Sequence, residues 1–414
     1  MVEMADDRKF DALVIGAGPA GGTAALILAR AGLSVAVVER TVFPRRKVCG
    51  EYVSSTSFDL FEQLGLLDEY LSLAGPPVSR VGIFSDKYLL TAPMPSPGRR
   101  SHVWGRALQR DVLDAWILEK AVKAGAVLFQ PYAADFIEGR AGEKITRLGS
   151  RENRESINVR SSFVIAAHGS WDAGELPTQP RKHDIKESDL LAFKTHFQKS
   201  SLDEDIMPLL VFPGGYGGMV HCGNGELSVS FCIRREMLTR LRSLSPGRKA
   251  ADVVFDHVMN TTAGVRGSLT EAIHVEEWLA AGPIRPGFRK RYVNGVFTVG
   301  NAAGESHPAI AEGISMAMQS SWLLCESLGR TRMFNEANLT EIGSEYDRRW
   351  KHSFARRIKT ANFFAYLALN RRGHSAMARV LGLFPSLLTA GAKLSGKVNR
   401  VVVNNCEIRP LPAA

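Results

Sequence analysis

The order of apolar and polar residues near the N-terminus predicts a strand, a tight turn, a helix and a second strand. Residues 11–15 are apolar, residues 16–22 are rich in glycine, an Ala- and Leu-rich stretch ends at Gly32, and residues 33–38 are apolar again. Short apolar runs bounded by glycine are typical of buried strands. The segment therefore predicts a βαβ unit of a parallel sheet.

Later stretches continue the same pattern. A helix is predicted near residues 107–123, with Gly125 at its C-terminal end. Further buried strands are predicted at 126–129, 163–167 and 295–300. From about residue 310 to near residue 394 the pattern is helical, so the chain ends in a helical region.

A second periodicity lies between these pieces. Residues 191–197 alternate in polarity, with Leu191 and Phe193 on one side and Lys194 and His196 on the other, which predicts a strand with one covered face. Gly223-Asn224-Gly225 predicts a hairpin turn, because Asn-Gly tolerates positive φ. Residues 81–84 and 88–91 predict another hairpin. Antiparallel strands are therefore inserted between strands of a parallel sheet.

Composition fits a soluble globular protein of more than one domain. The 414 residues exceed what one core usually holds. No stretch reaches the roughly 18 to 20 apolar residues that cross a bilayer, so neither secretion nor membrane spanning is expected. Five scattered cysteines without metal-ligand spacing predict neither a disulfide framework nor a metal site, and we expect a cytoplasmic protein.

The net charge of +10 is concentrated near the C-terminus. Residues 331–414 contain 14 Lys or Arg and 5 Asp or Glu. Such a region is either a solvated face of core helices or a contact for anionic lipid, nucleic acid or an acidic partner. Cations alternate with apolar residues from Arg371 to Lys397, so it can also rest on the inner membrane face or cap an apolar pocket. Without interleaved aromatic residues, nucleic-acid binding is not expected.

The glycine-rich turn carries the first chemical signal. Gly16, Gly18 and Gly21 follow a strand and open a helix, and Glu39 ends the next strand. The glycines allow a sharp turn, close approach of a pyrophosphate and close helix packing. Glu39 accepts hydrogen bonds from a free ribose hydroxyl. The motif predicts an adenosine dinucleotide, which is FAD or NAD.

Two further segments favour FAD. The basic loop at 40–51 departs from regular βα units, and its cations suit a pyrophosphate clamp. Gly300-Asn301-Ala302-Ala303-Gly304 follows a late strand and precedes the small-residue helix start at residues 312–314. A second helix N-terminus there stabilises negative charge on a reduced flavin ring, and Asn301 can hydrogen-bond a ribityl hydroxyl.

These residues resemble the FAD-dependent superfamily of aromatic hydroxylases of the p-hydroxybenzoate hydroxylase type, geranylgeranyl reductases and flavin-dependent halogenases. Residues 44–50, Pro-Arg-Arg-Lys-Val-Cys-Gly, resemble the geranylgeranyl-reductase variant. Arg110 to Asp114 is similar to the family's Arg-x-x-x-Asp helix, whose arginine lies near FAD. The chain departs from the family at His168 and Asn301, which replace acidic residues, and His168 puts the mode of flavin reduction in doubt.

The resemblance implies an α/β fold in which a Rossmann-like FAD-binding domain is interleaved with an antiparallel-sheet substrate domain. We predict the FAD-binding domain in residues 1–75, 100–180 and 285–330, and the substrate-binding domain in 76–99 and 181–284. Residues 331–414 form the helical basic region. The predicted FAD contacts are Gly16, Gly18, Pro19, Ala20, Gly21, Glu39, Arg40, Arg45, Lys47, Cys49, Arg110, Gly300, Asn301, Ala302, Gly304, Gly313 and Ile314.

Three residues are predicted to act on the substrate. His307 lies at the second helix start, Tyr216 lies on a glycine-rich loop, and Cys49 lies toward the reactive end of the flavin. Each also has a structural interpretation: His307 as a loop residue, Tyr216 as wall packing and Cys49 as a small buried hydrophobe.

The favoured function is hydroxylation of a hydrophobic aromatic or polyketide-like substrate with O₂ and NAD(P)H. The alternatives are reduction of an isoprenoid or related carbon–carbon double bond and, more remotely, a flavoprotein that modifies RNA or protein. The Trp-x-Trp-x-Ile-Pro motif of the halogenases is missing, so halogenation is not expected. No second nucleotide motif is present, so NAD(P)H binds transiently or another protein supplies electrons. The substrate is a hydrophobic small molecule, with a carrier- or lipid-linked form as an alternative.

Overall fold

The computed structural model describes residues 4–96, 104–153, 155–170, 174–179, 185–370 and 380–402. The strands of this part of the chain, in chain order, are β1 (Met4–Ile15), β2 (Val35–Val38), β3 (Tyr52–Val53), β4 (Arg80–Ser85), β5 (Tyr88–Pro93), β6 (Arg106–Ala107), β7 (Val127–Phe129), β8 (Tyr132–Arg140), β9 (Glu143–Ser150), β10 (Ser156–Ala166), β11 (Leu190–Gln198), β12 (Ile206–Phe212), β13 (Gly215–His221), β14 (Leu227–Arg234), β15 (Ile273–His274), β16 (Leu279–Ile284), β17 (Gly287–Phe288), β18 (Tyr292–Val293), β19 (Val296–Thr298) and β20 (Gly304–Glu305). The α-helices are α1 (Pro19–Arg30), α2 (Phe58–Gln63), α3 (Leu67–Leu73), α4 (Arg110–Lys123), α5 (Arg235–Leu244), α6 (Ala250–Thr261), α7 (Ala263–Leu269), α8 (Gly313–Leu328), α9 (Glu336–Leu369) and α10 (Ser386–Ala392).

The first sheet has the order β18-β19-β10-β1-β2-β7, and its central strands are parallel. Ile15 at the end of β1 pairs with Val38 of β2 and with Ala166 of β10, and Ala166 pairs with Thr298 of β19. The carboxyl ends of four strands therefore meet at one edge, where ligands bind in open α/β sheets. The antiparallel strands β8 and β9 extend the sheet beside β10, an addition that the periodicity does not predict.

The second sheet has the order β15-β11-β14-β13-β12-β4-β5, with β16 paired to β11. Both predicted hairpins are present: β13 and β14 join around Asn224 at φ 59°, and β4 and β5 join around Asp86 at φ 50°. The sheet is antiparallel except where β4 and β12 run parallel. The helices α5 to α7, which the sequence pattern does not predict, pack on one face of it through Leu238, Val254 and Val265.

The strand predicted at residues 191–197 exists as β11, but the prediction of one covered face is wrong. Lys194 and His196 are buried, at 1% and 2% exposure, as are Phe193 and Phe197 on the other face. The loop between β2 and β3 supplies the second cover, because Glu51 contacts both Lys194 and His196. The polarity pattern could not predict this buried pair, because it treats Lys and His as surface residues.

The C-terminal region is helical, as predicted, but it is interrupted. α8 ends at Leu328, α9 runs to Leu369, and α10 passes into a π-helical turn at Lys393–Lys397. Within the described residues, no helix has the length and apolarity needed to cross a membrane. These observations confirm the predicted fold class, an α/β protein with two interleaved sheets and a helical C-terminal region. Arg371, Arg372 and Arg379 lie outside the described residues.

Candidate active site

The glycine turn between β1 and α1 is fixed by close backbone contacts. Gly16 has φ +97°, and a Cβ built on it would lie 2.7 Å from the carbonyl oxygen of Ala167. A Cβ on Gly21 would lie 1.7 Å from the carbonyl oxygen of Gly16. Any side chain at either position would push α1 away from the sheet. Both glycines therefore shape the turn and direct the N-terminus of α1 toward the sheet edge.

Glu39 follows β2 at the same edge and is 5% exposed. Its carboxylate accepts hydrogen bonds from the backbone amides of Ala17, at 3.0 Å, and Thr41, at 3.1 Å. These bonds hold the side chain beside the glycine turn. The carboxylate is thus fixed where the ribose of a dinucleotide lies in this arrangement of strand and turn.

Two arginine side chains lie close to Gly18. Arg110 makes a bidentate pair with Asp114, at 2.8 and 2.7 Å, and Arg45 lies 3.2 Å from Asp114 and 3.4 Å from Glu39. A Cβ on Gly18 would lie 3.5 Å from Nη2 of Arg110 and 3.9 Å from Nη2 of Arg45. The Nε of Arg45 is buried and has no hydrogen-bond partner among the described residues. Two guanidinium groups, a donor without a partner and a helix N-terminus fit a bound pyrophosphate.

Gly18 offers a test of this fit that spares the fold. Its backbone is extended, at φ −70° and ψ −172°, and an added Cβ meets only ordinary contacts, so Gly18→Ala is expected to fold. The methyl group would occupy the space between the turn and the arginines, so we expect FAD affinity at least about tenfold weaker. Flavin titration of apoprotein measures it. Gly267→Ala is the matched control, because no atom lies within 4 Å of its Cβ; equal affinity of the two variants would contradict the fit.

A cavity of about 1150 Å³ runs from this turn into the second sheet. Most of the predicted FAD contacts line it: Gly16, Gly18, Pro19, Ala20, Glu39, Arg40, Arg45, Lys47, Cys49, Arg110, Gly300, Asn301, Gly313 and Ile314. Gly21, Ala302 and Gly304 lie just behind its wall, where Gly304 packs against the ring of Trp350. The volume exceeds the roughly 300–1,000 Å³ of a typical single-ligand site, which leaves room for a cofactor and a substrate.

The second glycine segment adjoins the first. Gly300 has φ +59°, and a Cβ on it would lie 2.9 Å from the Cβ of Ala20 at the start of α1. The amide of Gly300 donates to Ser320 of α8 at 2.8 Å, and Ser321 of α8 donates to the carbonyl of Ala20 at 2.7 Å. The middle of α8 therefore packs beside the start of α1, and Gly313 and Ile314 at the start of α8 line the same cavity. Asn301 donates to Glu305 at 3.3 Å.

Tyr216 and His307 meet on the cavity wall. The Tyr216 hydroxyl lies 2.6 Å from Nδ1 of His307. Burial lowers the pKa of His307 to about 4, so the imidazole is neutral at pH 7. Burial raises the pKa of Tyr216 well above its usual value, so the hydroxyl keeps its proton and can donate to Nδ1. In the tautomer with Tyr216 as the donor, Nε2 of His307 carries the ring proton and is a hydrogen-bond donor.

The other two motif residues are held by local contacts. Cys49 lines the cavity, and its sulfur accepts a hydrogen bond from the Glu51 amide at 3.4 Å. His168, which replaces the family's aspartate, contacts the carbonyl of Gly169 and the hydroxyl of Thr178, both at 2.9 Å. The His168 ring is thus engaged by its own loop at the cavity rim.

A buried charge network beside Cys49 was not predicted from the sequence. Glu51, at φ +60°, pairs with Lys194 and with Nε2 of His196, the latter at 2.8 Å, and accepts from the amide of Arg110 at 2.9 Å. His196 in turn contacts Glu276 at 2.7 Å through Nδ1. Burial alone would raise the pKa of Glu51, but the hydrogen bond from His196 and the charge of Lys194 lower it to about 2. The network joins the FAD-binding loop to β11.

Glu51, His196 and Cys222 lie close enough to share a metal ion. However, Lys194 already neutralises the charge of the Glu51 carboxylate, and the amide of Arg110 at the start of α4 already donates a hydrogen bond to it. We therefore interpret the cluster as a buried ion-pair network.

The C-terminal region forms the far end of the cavity. The lining there is apolar and comes from α9, α10 and the segment before α10: Phe364, Leu367, Leu381, Leu387 and Leu388. Lys397 reaches the same wall from the π-helical turn. Of the interpretations open from the sequence, the capping of an apolar pocket describes these contacts.

Comparison with known proteins places the chain among flavoproteins. A family model described as "FAD binding domain" matches residues 9–334. Digeranylgeranylglycerophospholipid reductase 2 of Methanopyrus kandleri is 26% identical over 85% of this chain and 85% of its own length. Menaquinone reductase of Mycolicibacterium smegmatis is 23% identical over 95% and 92%. Conditioned medium factor receptor 1 of Dictyostelium discoideum is 26% identical over 95% and 74%.

Solved structures share the fold. A flavin-dependent brominase has a TM-score of 0.73 at 15% identity, with 94% of each chain covered. A geranylgeranyl bacteriochlorophyll reductase-like protein from Thermoplasma acidophilum has a TM-score of 0.66 at 18% identity, with 97% of this chain and 94% of that chain covered. The family match spans most of the chain, from β1 through α8. The chain therefore belongs to the FAD-binding domain family and is an FAD-dependent oxidoreductase.

Proposed function

We propose that this protein is an FAD-dependent reductase of a carbon–carbon double bond in a substrate with a polar end and a long apolar tail. The observation that carries the proposal is the cavity itself, which joins the dinucleotide turn to an arm lined by leucines of the C-terminal region. Such an arm suits a polyprenyl chain better than a small phenol. The relatives named as reductases of a geranylgeranyl lipid and of menaquinone support this choice.

The residues divide the cavity between cofactor and substrate. Arg45, Arg110 and the start of α1 would hold the pyrophosphate of FAD, and Glu39 the ribose. When bound and reduced by NAD(P)H, FAD would supply a hydride to one carbon of the double bond, and a proton from solvent would be added at the other carbon. The start of α8 would receive the flavin ring, and NAD(P)H is the proposed electron donor.

The pair of Tyr216 and His307 would orient the polar end of the substrate. Nε2 of the neutral His307 donates a hydrogen bond to a substrate oxygen, because Tyr216 donates to Nδ1 and thereby fixes the tautomer. A neutral imidazole in a buried site can polarise a carbonyl group without giving up its proton. An oxygen held there would leave the tail free to lie along Leu381 and Leu388.

The experiment that tests the reaction separates oxygen-dependent from oxygen-independent chemistry. Under anaerobic conditions, chemically reduced enzyme mixed with a polyprenyl quinone should yield a product that stays heavier by two hydrogen atoms after the ring has been reoxidised to the quinone, because reduction of the ring alone is reversed by that step. Mass spectrometry of the product measures it. A product that forms only when O₂ is admitted, and that is heavier by one oxygen atom, would overturn the proposal in favour of hydroxylation.

Hydroxylation of a hydrophobic aromatic or polyketide-like substrate with O₂ and NAD(P)H is the second candidate. It is favoured by the burial of Tyr216 beside the half-buried His307, since hydroxylation by a flavin requires that water be excluded. In this reaction Nε2–H of the neutral imidazole would donate a hydrogen bond to the oxygen of a phenol.

We further propose that the C-terminal region rests on an anionic bilayer from which the substrate enters. Seven large apolar side chains of the two C-terminal helices and the adjoining segments are exposed: Phe363, Tyr366, Val380, Leu383, Phe384, Leu387 and Leu394. We call this set the C-terminal apolar surface. Leu387 belongs both to it and to the cavity wall, so the apolar arm reaches the surface there. Exposed Lys359 and Lys393 provide charge complementarity to anionic lipid.

Leu383→Glu is expected to weaken binding to anionic vesicles by about tenfold, because a charge replaces a side chain that the bilayer would bury. Co-sedimentation with vesicles containing phosphatidylglycerol measures the bound fraction. Leu244→Glu is the matched control, since Leu244 on α5 is 74% exposed and Leu383 is 75% exposed. Equal binding of both variants would contradict a membrane contact at this surface.

A further inference from the structure

A second buried charge cluster lies at the N-terminal end of α8. Glu312 precedes the helix, and its side chain is fully buried, as are those of Arg357 on α9 and Lys397 in the π-helical turn, at 1% and 5% exposure. Nζ of Lys397 lies 2.8 Å from Glu312 and donates to the carbonyl of Ala311 at 3.2 Å. Nη1 of Arg357 lies 3.9 Å from the other carboxylate oxygen.

The cluster is held by packing that admits little adjustment. Nη1 of Arg357 donates to Gln319 of α8 at 3.1 Å, and Nη2 donates to the carbonyl of Asn399 at 2.7 Å. Gly396 has φ +102°, and a Cβ on it would lie 2.7 Å from Cδ of Arg357. Nζ of Lys397 also lies 4.3 Å from the ring centre of Tyr52. The two cations are therefore fixed relative to the start of α8.

The charges of the cluster do not cancel. Two basic side chains face one carboxylate, and burial lowers the pKa of both Lys397 and Arg357, a shift that the charge of Glu312 opposes. The neighbouring pair of Asp59 and Arg400 is neutral in sum. The excess positive charge is buried at the end of the helix that already carries a partial positive charge. Lys397, Ala311 and Gly313 all line the cavity. An anionic group in this part of the cavity would gain from both sources.

We propose that Arg357 and Lys397 stabilise the negative charge of the reduced flavin and thereby raise its reduction potential. The inference rests on the proposed position of the flavin ring at the start of α8, and it holds for either proposed reaction. Two-electron reduction of FAD with uptake of one proton leaves one negative charge on the ring, and charge near the ring is a principal lever on its potential. Both cations lie beyond the segment that matches the family model, which ends at residue 334.

Lys397→Met tests the proposal in the FAD-loaded protein. Two-electron reduction of its bound FAD should be about tenfold less favourable, so the reduction potential should fall by about 30 mV. Equilibration with a redox dye during reduction by dithionite measures the potential. Lys397→Arg should have a reduction potential close to that of the native protein, because it keeps the positive charge. Lys393→Met, in the same turn but exposed, is the control and should leave the potential unchanged.

The flavin content of each variant separates failure of this inference from failure of the FAD site. If Lys397→Met binds FAD and its potential equals that of Lys393→Met, the proposal is wrong. If Lys397→Met does not hold FAD, Arg357→Met provides the same comparison, with a smaller expected decrease because Arg357, unlike Lys397, does not line the cavity. An unchanged potential in a loaded Arg357 variant would then overturn the proposal.

Discussion

Replacing Glu51 by glutamine is expected to lower the free energy of unfolding by about 3–5 kcal/mol. The substitution keeps the shape of the side chain but leaves Lys194 and His196 buried without their counter-charge, which is the costly way to break a buried pair. Urea denaturation at pH 7 measures the change. Glu119→Gln is the control, because its partner Lys123 lies on the surface, and it should leave the urea midpoint almost unchanged.

The same carboxylate predicts an acid dependence of stability. Its pKa is about 2 in the folded protein against an ordinary value of 4.5, so its contribution is complete above about pH 4.5 and is lost as the pH falls toward 2. The difference corresponds to about 3 kcal/mol. Burial alone would lower the pKa of His196, but its bond to Glu51 raises it, so the His196 contribution is present below its usual pKa and is lost at higher pH. A Glu51→Gln variant as stable as the native chain at both pH 3 and pH 7 would contradict the ion-pair interpretation.

Replacing His307 by leucine is expected to lower kcat by about 10²–10³. The change removes the donor that we place on the polar end of the substrate, and loss of one such donor has an effect of this size. Tyr216→Phe should cost less, about tenfold, because it removes only the bond that fixes the His307 tautomer. Single-turnover rates with saturating substrate measure both, and an unaltered flavin spectrum shows that the cofactor site is intact.

The pH profile follows from the protonation state of His307. Because burial lowers the pKa of His307 to about 4, its neutral form is present throughout pH 5–8, so His307 should give kcat no pH dependence in this range. The Leu variant should be slower than the native protein by the same factor across the range. A His307→Leu rate within threefold of the native rate would show that the imidazole does not act on the substrate.

The parts of the fold that were predicted follow from local signals. The βαβ unit, the turn at Asn224 and the strand at residues 163–167 each combine a short apolar run with glycine or asparagine where the backbone needs it. β8 and β9 were missed because their polarity does not follow their burial, with Phe136 exposed and Lys144 buried. The helices α5 to α7 were missed although α5 has a distinctly amphipathic pattern.

For the candidate site, motif spacing located the glycine turn and the start of α8, because each depends on a few neighbouring residues. It could not locate the pairing of Glu51 with Lys194 or of Glu312 with Lys397, since those partners are 143 and 85 positions apart in the chain. Only a buried Lys or Glu in an otherwise apolar context hints at such pairs. The meeting of Tyr216 with His307 is a contact of the same long-range kind, although each residue was proposed singly.

The leucine arm and the glycine turn are built from opposite ends of the polypeptide. Residues before 50 and near 110 hold the proposed pyrophosphate position, whereas residues after 360 shape the apolar end. Exchanging the last fifty residues between relatives could therefore alter which molecules are accepted while leaving coenzyme retention in place. This separation would allow related FAD-binding proteins to acquire different substrates through changes in the C-terminal region alone.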